Sequence, residues 1–154
     1  MKNKILLLLA VGVPFCLISG CVPAAKPAEY DLAALSSEVS KSGAFSDLLS
    51  PVQVDVAASL YSFDPKDVAE CNLLCSTGAT TEEIGLFKCS DEAAATRVKS
   101  AADARVKSQR TAYESYAPNE MPKLDEAIVS QNGLYVFYIV STDSAKVDAV
   151  LKAK

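Results

Sequence analysis

The chain has 154 residues with 15 basic and 19 acidic side chains, a formal net charge of −4 at pH 7, and no histidine. That balance makes it a poor partner for nucleic acid, and the missing histidine removes the commonest general base and metal ligand. Five cysteines, of which the first two fall near the N-terminus, do not make a disulfide-stapled scaffold.

Lys2 and Lys4 precede an uncharged run of 14 residues, Ile5 to Ile18. As a helix the run would span about 21 Å, short of the roughly 30 Å hydrocarbon core of a bilayer. A cleaved signal is therefore expected rather than a transmembrane helix. The run ends in Ser19-Gly20-Cys21, which resembles the lipobox of bacterial lipoproteins. The resemblance implies cleavage after Gly20 and thioether diacylation of Cys21 with palmitate-type chains. Two chains anchor stably where one binds only marginally. An ordinary cleaved signal followed by a chance cysteine is the other reading.

These features give the expected organisation: a leader over 1–20, the lipidated cysteine with a Pro/Ala tether over 21–30, and one domain over 31–154. The expected location is the extracytoplasmic face of the cell membrane. Removing the leader takes two of the 15 basic residues, so 134 residues remain with 13 basic against 19 acidic side chains. That is enough chain for one real core.

Within the tether, Pro23 and Pro27 favour an extended chain reaching about 28 Å. Asp31 then starts a helix whose Leu32, Leu35 and Val39 fall on one face of a 3.6-residue period, and Gly43 is placed to stop it. Ser50 is expected to cap a second helix, with Pro51 at its first position and Gln53 closing a capping box. Val56, Ala57, Leu60 and Tyr61 would be its buried face, and Phe63-Asp64-Pro65 would end the segment. Val68 to Ser76 and Glu83 to Cys89 read as a hairpin around Gly78. Ser90 caps the longest helix, roughly Asp91 to Tyr116, with Asp91 and Glu92 in the first turn where the macrodipole favours negative charge. Pro118 ends it, and Met121 to Ala127 reads as a turn with a short helical piece. Asn132-Gly133 between Ile128–Gln131 and Leu134–Ser141 is a strong hairpin signal of type I′. It sets Val129 opposite Val136 and Ile128 opposite Phe137. The second of these strands is apolar on both faces and should be central. Asp143 caps a last helix with Val147, Val150 and Leu151 facing inward. The sum is an α+β fold: a four-stranded, mainly antiparallel sheet of two hairpins, with a long helix and shorter helices packed on it.

With the segments in place, the string Leu60-Tyr61, Glu83-Ile84, Lys88, Arg105, Gln109, Tyr116-x-Pro118, Leu124, Ala127 and Asn132-Gly133-Leu134-Tyr135-Val136 resembles a family. The chain is similar over about residues 40 to 152 to the DUF4358-type small lipoproteins, mostly of Gram-positive anaerobes. Their domain has no known function. The resemblance implies a Gram-positive membrane setting and one domain after the lipobox; it carries over no catalytic residue.

Three cysteines remain to the mature domain, Cys71, Cys75 and Cys89. Cys71 and Cys75 on one strand lie about 13 Å apart, too far to bridge. A hairpin pairing Ser76 with Ile84 and Leu73 with Phe87 would set Cys71 opposite Cys89 and allow a Cys71–Cys89 bridge. The plainer reading is three small buried hydrophobes. No spacing suits a metal, and no cofactor motif appears. On the long helix, Arg105, Gln109, Tyr113 and Tyr116 fall on one side. They are either a surface or binding stripe or a core stripe with its polar ends satisfied. From Thr96 to Ala112 the side chains sum to +4, which suits an anionic partner or a plain solvated face. Asp91/Glu92 and Asp125/Glu126 read as caps and surface. The expected function is that of a non-enzymatic, lipid-anchored module binding an envelope protein or cell-wall component. An atypical small-ligand-binding lipoprotein and an envelope enzyme are the alternatives. A pocket with converging polar groups would favour the former. A buried, perturbed carboxylate beside a serine or lysine would favour the latter.

Overall fold

The computed structural model describes residues 29–154. The expected leader, Cys21 and nearly all of the tether lie outside these residues. Among the described residues no helix is long and apolar enough to cross a membrane.

The order of elements is α1 (Leu32–Ser40), β1 (Ser50–Val52), α2 (Val54–Tyr61), β2 (Val68–Cys75), β3 (Glu83–Cys89), α3 (Glu92–Tyr113), α4 (Met121–Asp125), β4 (Ile128–Asn132), β5 (Tyr135–Val140) and α5 (Ser144–Lys152). The fold is α+β, as expected, but the sheet has five antiparallel strands in the order β1-β2-β3-β5-β4 rather than four. The extra strand is the segment expected to open the second helix. Ser50, Pro51 and Val52 pair with Cys75, Leu74 and Leu73. Proline lacks an N–H, and on a sheet edge it costs no ladder bond. The helix therefore starts at Val54, and Gln53 stands at its N-cap without a side-chain bond. Its rotation also differs from expectation. Ala57, Ala58 and Tyr61 face the core, while Val56 and Leu60 are exposed.

Alternation along the strands divides the core in two. Leu73, Phe87, Cys89, Val136, Tyr138 and Val140 point to one face, where α2, α3 and Leu124 of α4 cover them. Ile84, Leu86, Tyr135, Phe137 and Ile139 point to the other, beneath α1 and Val147 of α5. β5 is buried at every position, because it lies between β3 and β4 with helices on both faces. Helix ends follow local chemistry: the carboxylates of Asp31, Asp91 and Asp143 accept backbone N–H groups of Ala34, Ala94 and Lys146. Asp91 rather than Ser90 caps α3. That helix ends at Tyr113, three residues short of the expected limit.

Both hairpin registers differ by two residues from those expected. Cys75 pairs with Glu83 and Cys71 with Phe87, and a bulge intervenes before Val68 meets Cys89. The Ser76 N–H still donates to the Glu82 carbonyl at 3.1 Å, while the side chains of Thr81 and Glu82 make the bonds described below. Cys71 no longer faces Cys89, so the geometric basis of a Cys71–Cys89 bridge is gone, and Cys71, Cys75 and Cys89 are free thiols. In the second hairpin Asn132 pairs with Tyr135 and Val129 with Tyr138. Gly133 and Leu134 are then the central turn residues, and of the residues around the turn only Gly133 has positive φ, 56°. That is the pattern of a type II′ turn, with glycine first, not the type I′ expected.

No atom would crowd a Cβ added at Gly133, so a side chain there meets only the backbone conformation. Gly133→Val should therefore destabilise the chain by about 1–3 kcal/mol without altering its contacts. Urea unfolding indistinguishable from wild type would count against this turn.

Candidate functional site

Three consecutive polar residues lead into and open β3, and all are buried: Thr81, Glu82 and Glu83 are at most 2% exposed. An isolated carboxylate in such surroundings costs several kcal/mol. Each glutamate here is instead surrounded by donors.

Glu83 points to the face covered by α2 and α3. Its Oε1 accepts from the Tyr61 hydroxyl at 2.6 Å and from Arg105 Nε at 2.8 Å. Its Oε2 accepts from Arg105 Nη2 at 2.6 Å and Gln109 Nε2 at 3.1 Å. The Tyr138 hydroxyl donates to the other end of the Gln109 amide. The Arg105 guanidinium lies 5.1 Å from the centre of the Tyr61 ring, close enough for a cation–π contact. Gly85 makes room for this meeting. A Cβ there would come within 2.7 Å of the Tyr61 hydroxyl oxygen and 3.0 Å of the Phe87 ring. Burial, then the Glu83 charge, raises the Tyr61 pKa well above its ordinary value, and the Tyr138 pKa is raised for the same reasons. Burial alone would lower that of Arg105, but the Glu83 carboxylate outweighs it and holds the guanidinium charged.

Glu82 points to the opposite face. Lys123 Nζ donates to its Oε1 at 2.9 Å, and the backbone N–H groups of Ser46 and Asp47 donate to its Oε2 at 2.9 and 3.0 Å. The Ser46 hydroxyl donates to it as well. Lys123 also reaches Glu120 at 3.0 Å, and Glu120 Oε2 accepts both the backbone N–H and the hydroxyl of Thr81 at 2.9 and 3.1 Å. Burial alone would raise the pKa of Glu82 and Glu120. Their donors outweigh it and hold both below the ordinary carboxylate value. Lys123 is held above its ordinary value by the same two carboxylates, against its own burial.

The four residues singled out on the long helix go separate ways. Arg105 and Gln109 are two of the donors to Glu83. Tyr113 donates from its hydroxyl to the carbonyls of Gly78 and Thr80 at 2.9 and 3.2 Å, pinning the β2–β3 loop. Tyr116 is 74% exposed and touches Tyr113 edge to face. Sequence reasoning missed Glu82, Glu120 and Lys123, and it placed Glu83 in a strand without a role. Tyr61, Glu83, Arg105 and Gln109 stand together in the string that carries the family resemblance, and here they meet at one point.

Chemically the arrangement is closed. Glu82 beside Ser46 and Lys123 is the buried carboxylate that would point to an enzyme, yet a serine–lysine pair needs a neutral lysine as base, and this lysine is kept protonated. The thiols are poorly ionised: burial pushes Cys71 and Cys89 up to about 11, and burial with the Glu83 charge pushes Cys75 up to about 12. Among the described residues no three Cys, Asp or Glu side chains are grouped to hold a metal ion. The profile of a family described as a domain of unknown function (DUF4358) matches residues 41–141. No curated protein and no solved structure matches the chain.

Arg105→Met leaves Glu83 buried without its cation. It should cost about 3–5 kcal/mol of stability in urea unfolding. Adding Glu83→Gln removes the stranded charge, and the double variant should be more stable than the sum of the two singles by about 0.5–3 kcal/mol. A single variant as stable as wild type, or strict additivity, would contradict the pairing.

Proposed function

This chain belongs to the DUF4358 family, and we propose that it is a lipid-anchored, extracytoplasmic module that binds an envelope protein or cell-wall component and catalyses no reaction. The observation that carries the non-enzymatic part is the closure of the two networks. The carboxylates of Glu82 and Glu83 each accept four hydrogen bonds from donors that hold them in place. A general acid or base has to exchange its proton with a reacting group, and these groups are already engaged. A rigid interior with its polar groups satisfied is what a binding scaffold needs. Exposed Leu48, Val56 and Leu60 give it apolar surface outside the core. The anchor rests on the Ser19-Gly20-Cys21 motif alone.

One observation favours a small ligand as the second reading. A groove of about 520 Å3 beside β1 and β2 is lined by Asn72, whose side-chain oxygen is buried without a hydrogen-bond partner. A melting shift with a panel of amide- and hydroxyl-bearing metabolites, lost in Asn72→Leu, would move the balance to that reading.

Crosslinking and pull-down from intact bacterial membranes test the main proposal. The full chain should sediment with membranes and recover one envelope component reproducibly. Cys21→Ala should appear in the soluble fraction or as an uncleaved precursor. Membrane retention of that variant at the normal mature mass would refute the anchor, and recovery of nothing specific would refute the binding role.

A further inference from the structure

We propose that β4 is a receiving edge: an acidic, extended peptide of a partner protein adds to it as a sixth strand, lying in the groove between β4 and α3. The inference rests on the binding-module reading and specifies the partner's conformation and charge.

The two edges of the sheet differ in how they are protected. On the β1 side, Pro51 lies on the edge strand, and beyond β1 the edge of β2 carries Glu70 and a bulge. Proline, charge and bulges are the usual means of blocking further strand pairing. On the other side, β4 reads Ile128-Val129-Ser130-Gln131-Asn132, with no charge, no proline and an unbroken register to β5. The two-residue turn makes Asn132 and Tyr135 a hydrogen-bonded pair. Ladder alternation then turns the peptide groups of Ser130 and Ile128 toward β5, and those of Val129 and Gln131 outward. The free edge thus offers two N–H donors and two carbonyl acceptors at the spacing of an added strand.

The side chains of Val129 and Gln131 share the sheet face that α3 covers. There Val129, Ala127, Leu124 and Val106 line a groove of about 500 Å3 with Asp103 and Lys107 at its rim. Main-chain bonds from an edge, with an adjoining pocket for alternate side chains, are the two parts of recognition by strand addition. Charge selects the occupant. Asp103 is engaged by Lys99 at 2.9 Å, and Arg110 by Asp125. Lys107 is exposed and has no ion-pair partner among the described residues. Arg97, Lys99, Arg105 and Arg110 are each held by a carboxylate, so a second copy paired edge to edge would bring the unpaired Lys107 of each α3 to the same groove. An acidic segment meets that charge favourably.

The test uses the purified full chain and two blocked six-residue peptides, one alternating glutamate with valine and one alternating lysine with valine. Fluorescence polarisation should show binding of the acidic peptide and roughly tenfold weaker binding of the basic one. Gln131→Pro removes one outward N–H without touching the β4–β5 ladder, and Lys107→Glu reverses the rim charge. Each should weaken the acidic peptide roughly tenfold with an unchanged melting temperature. Amide exchange at Val129 and Gln131 should slow when the peptide is added. Equal binding of both peptides, binding of neither, or wild-type affinity in Lys107→Glu would overturn the proposal. So would a dimer in sedimentation that Gln131→Pro dissociates, which would make the edge a self-association site. Membrane capture that persists in both variants would place the partner elsewhere and leave the binding-module reading standing. Specific capture of nothing by wild type would defeat that reading, while the peptide titration still judges the edge.

Discussion

The structure depends on keeping two hydrogen-bonded carboxylates buried at the start of β3. Glu82 and Glu83 are neighbours in sequence, so strand alternation sends them to opposite faces of the sheet. Glu83 draws α2 and α3 together through Tyr61, Arg105 and Gln109. Glu82 draws in the loop after α1 through Ser46 and Asp47, and α4 through Lys123. Glu120 closes the second network onto Thr81. One short stretch therefore ties helices and loops on both sides of the central strand to a single point.

Such a device is not the cheapest way to gain stability. Well-packed apolar residues in place of a buried ion pair are often as stable or more so. Its effect is geometric. An apolar end to β3 could slide or rotate, whereas a carboxylate that accepts from a bidentate guanidinium, a phenol and an amide has one arrangement. The same bonds hold the β2–β3 loop, since Thr81 donates to Glu120, and the Glu82 side chain accepts from Ser46 and Lys123 while its carbonyl accepts from the Ser76 N–H. Tyr113 and Gly85 belong to the same scheme: one holds the loop carbonyls, and the other leaves room for the Tyr61 hydroxyl.

Much of this was legible in the sequence, and the rest was not for identifiable reasons. Apolar periodicity placed α1, α3, α5 and the long strands, because burial of one face or both leaves a direct mark on residue choice. The stripe Arg105-Gln109 signalled polar residues that, if they faced a core, had to find partners there. Those partners were hidden. Thr81-Glu82-Glu83 has the composition of a loop, and only tertiary donors make it an interior. β1 was missed because Ser-Pro at an edge strand looks the same as Ser-Pro at a helix start. The registers failed together with the turns: a type I′ turn centred on Asn132-Gly133 and a type II′ turn centred on Gly133-Leu134 share their glycine but shift the pairing by two.

On the Glu82 side, the tie on β3 requires that Glu82 and its network partner Glu120 stay charged when buried. Their donors depress both pKa values in the folded chain, so the stabilisation is present above the ordinary value of 4.5 and is lost as pH falls through the lower folded values. A carbon-detected NMR titration of the side-chain carboxyls in the native chain measures this directly. The account predicts midpoints below 4.5 for both residues. A midpoint at or above that value for either one would mean that burial outweighs its donors, and that the ionic tie is not what holds β3 in place.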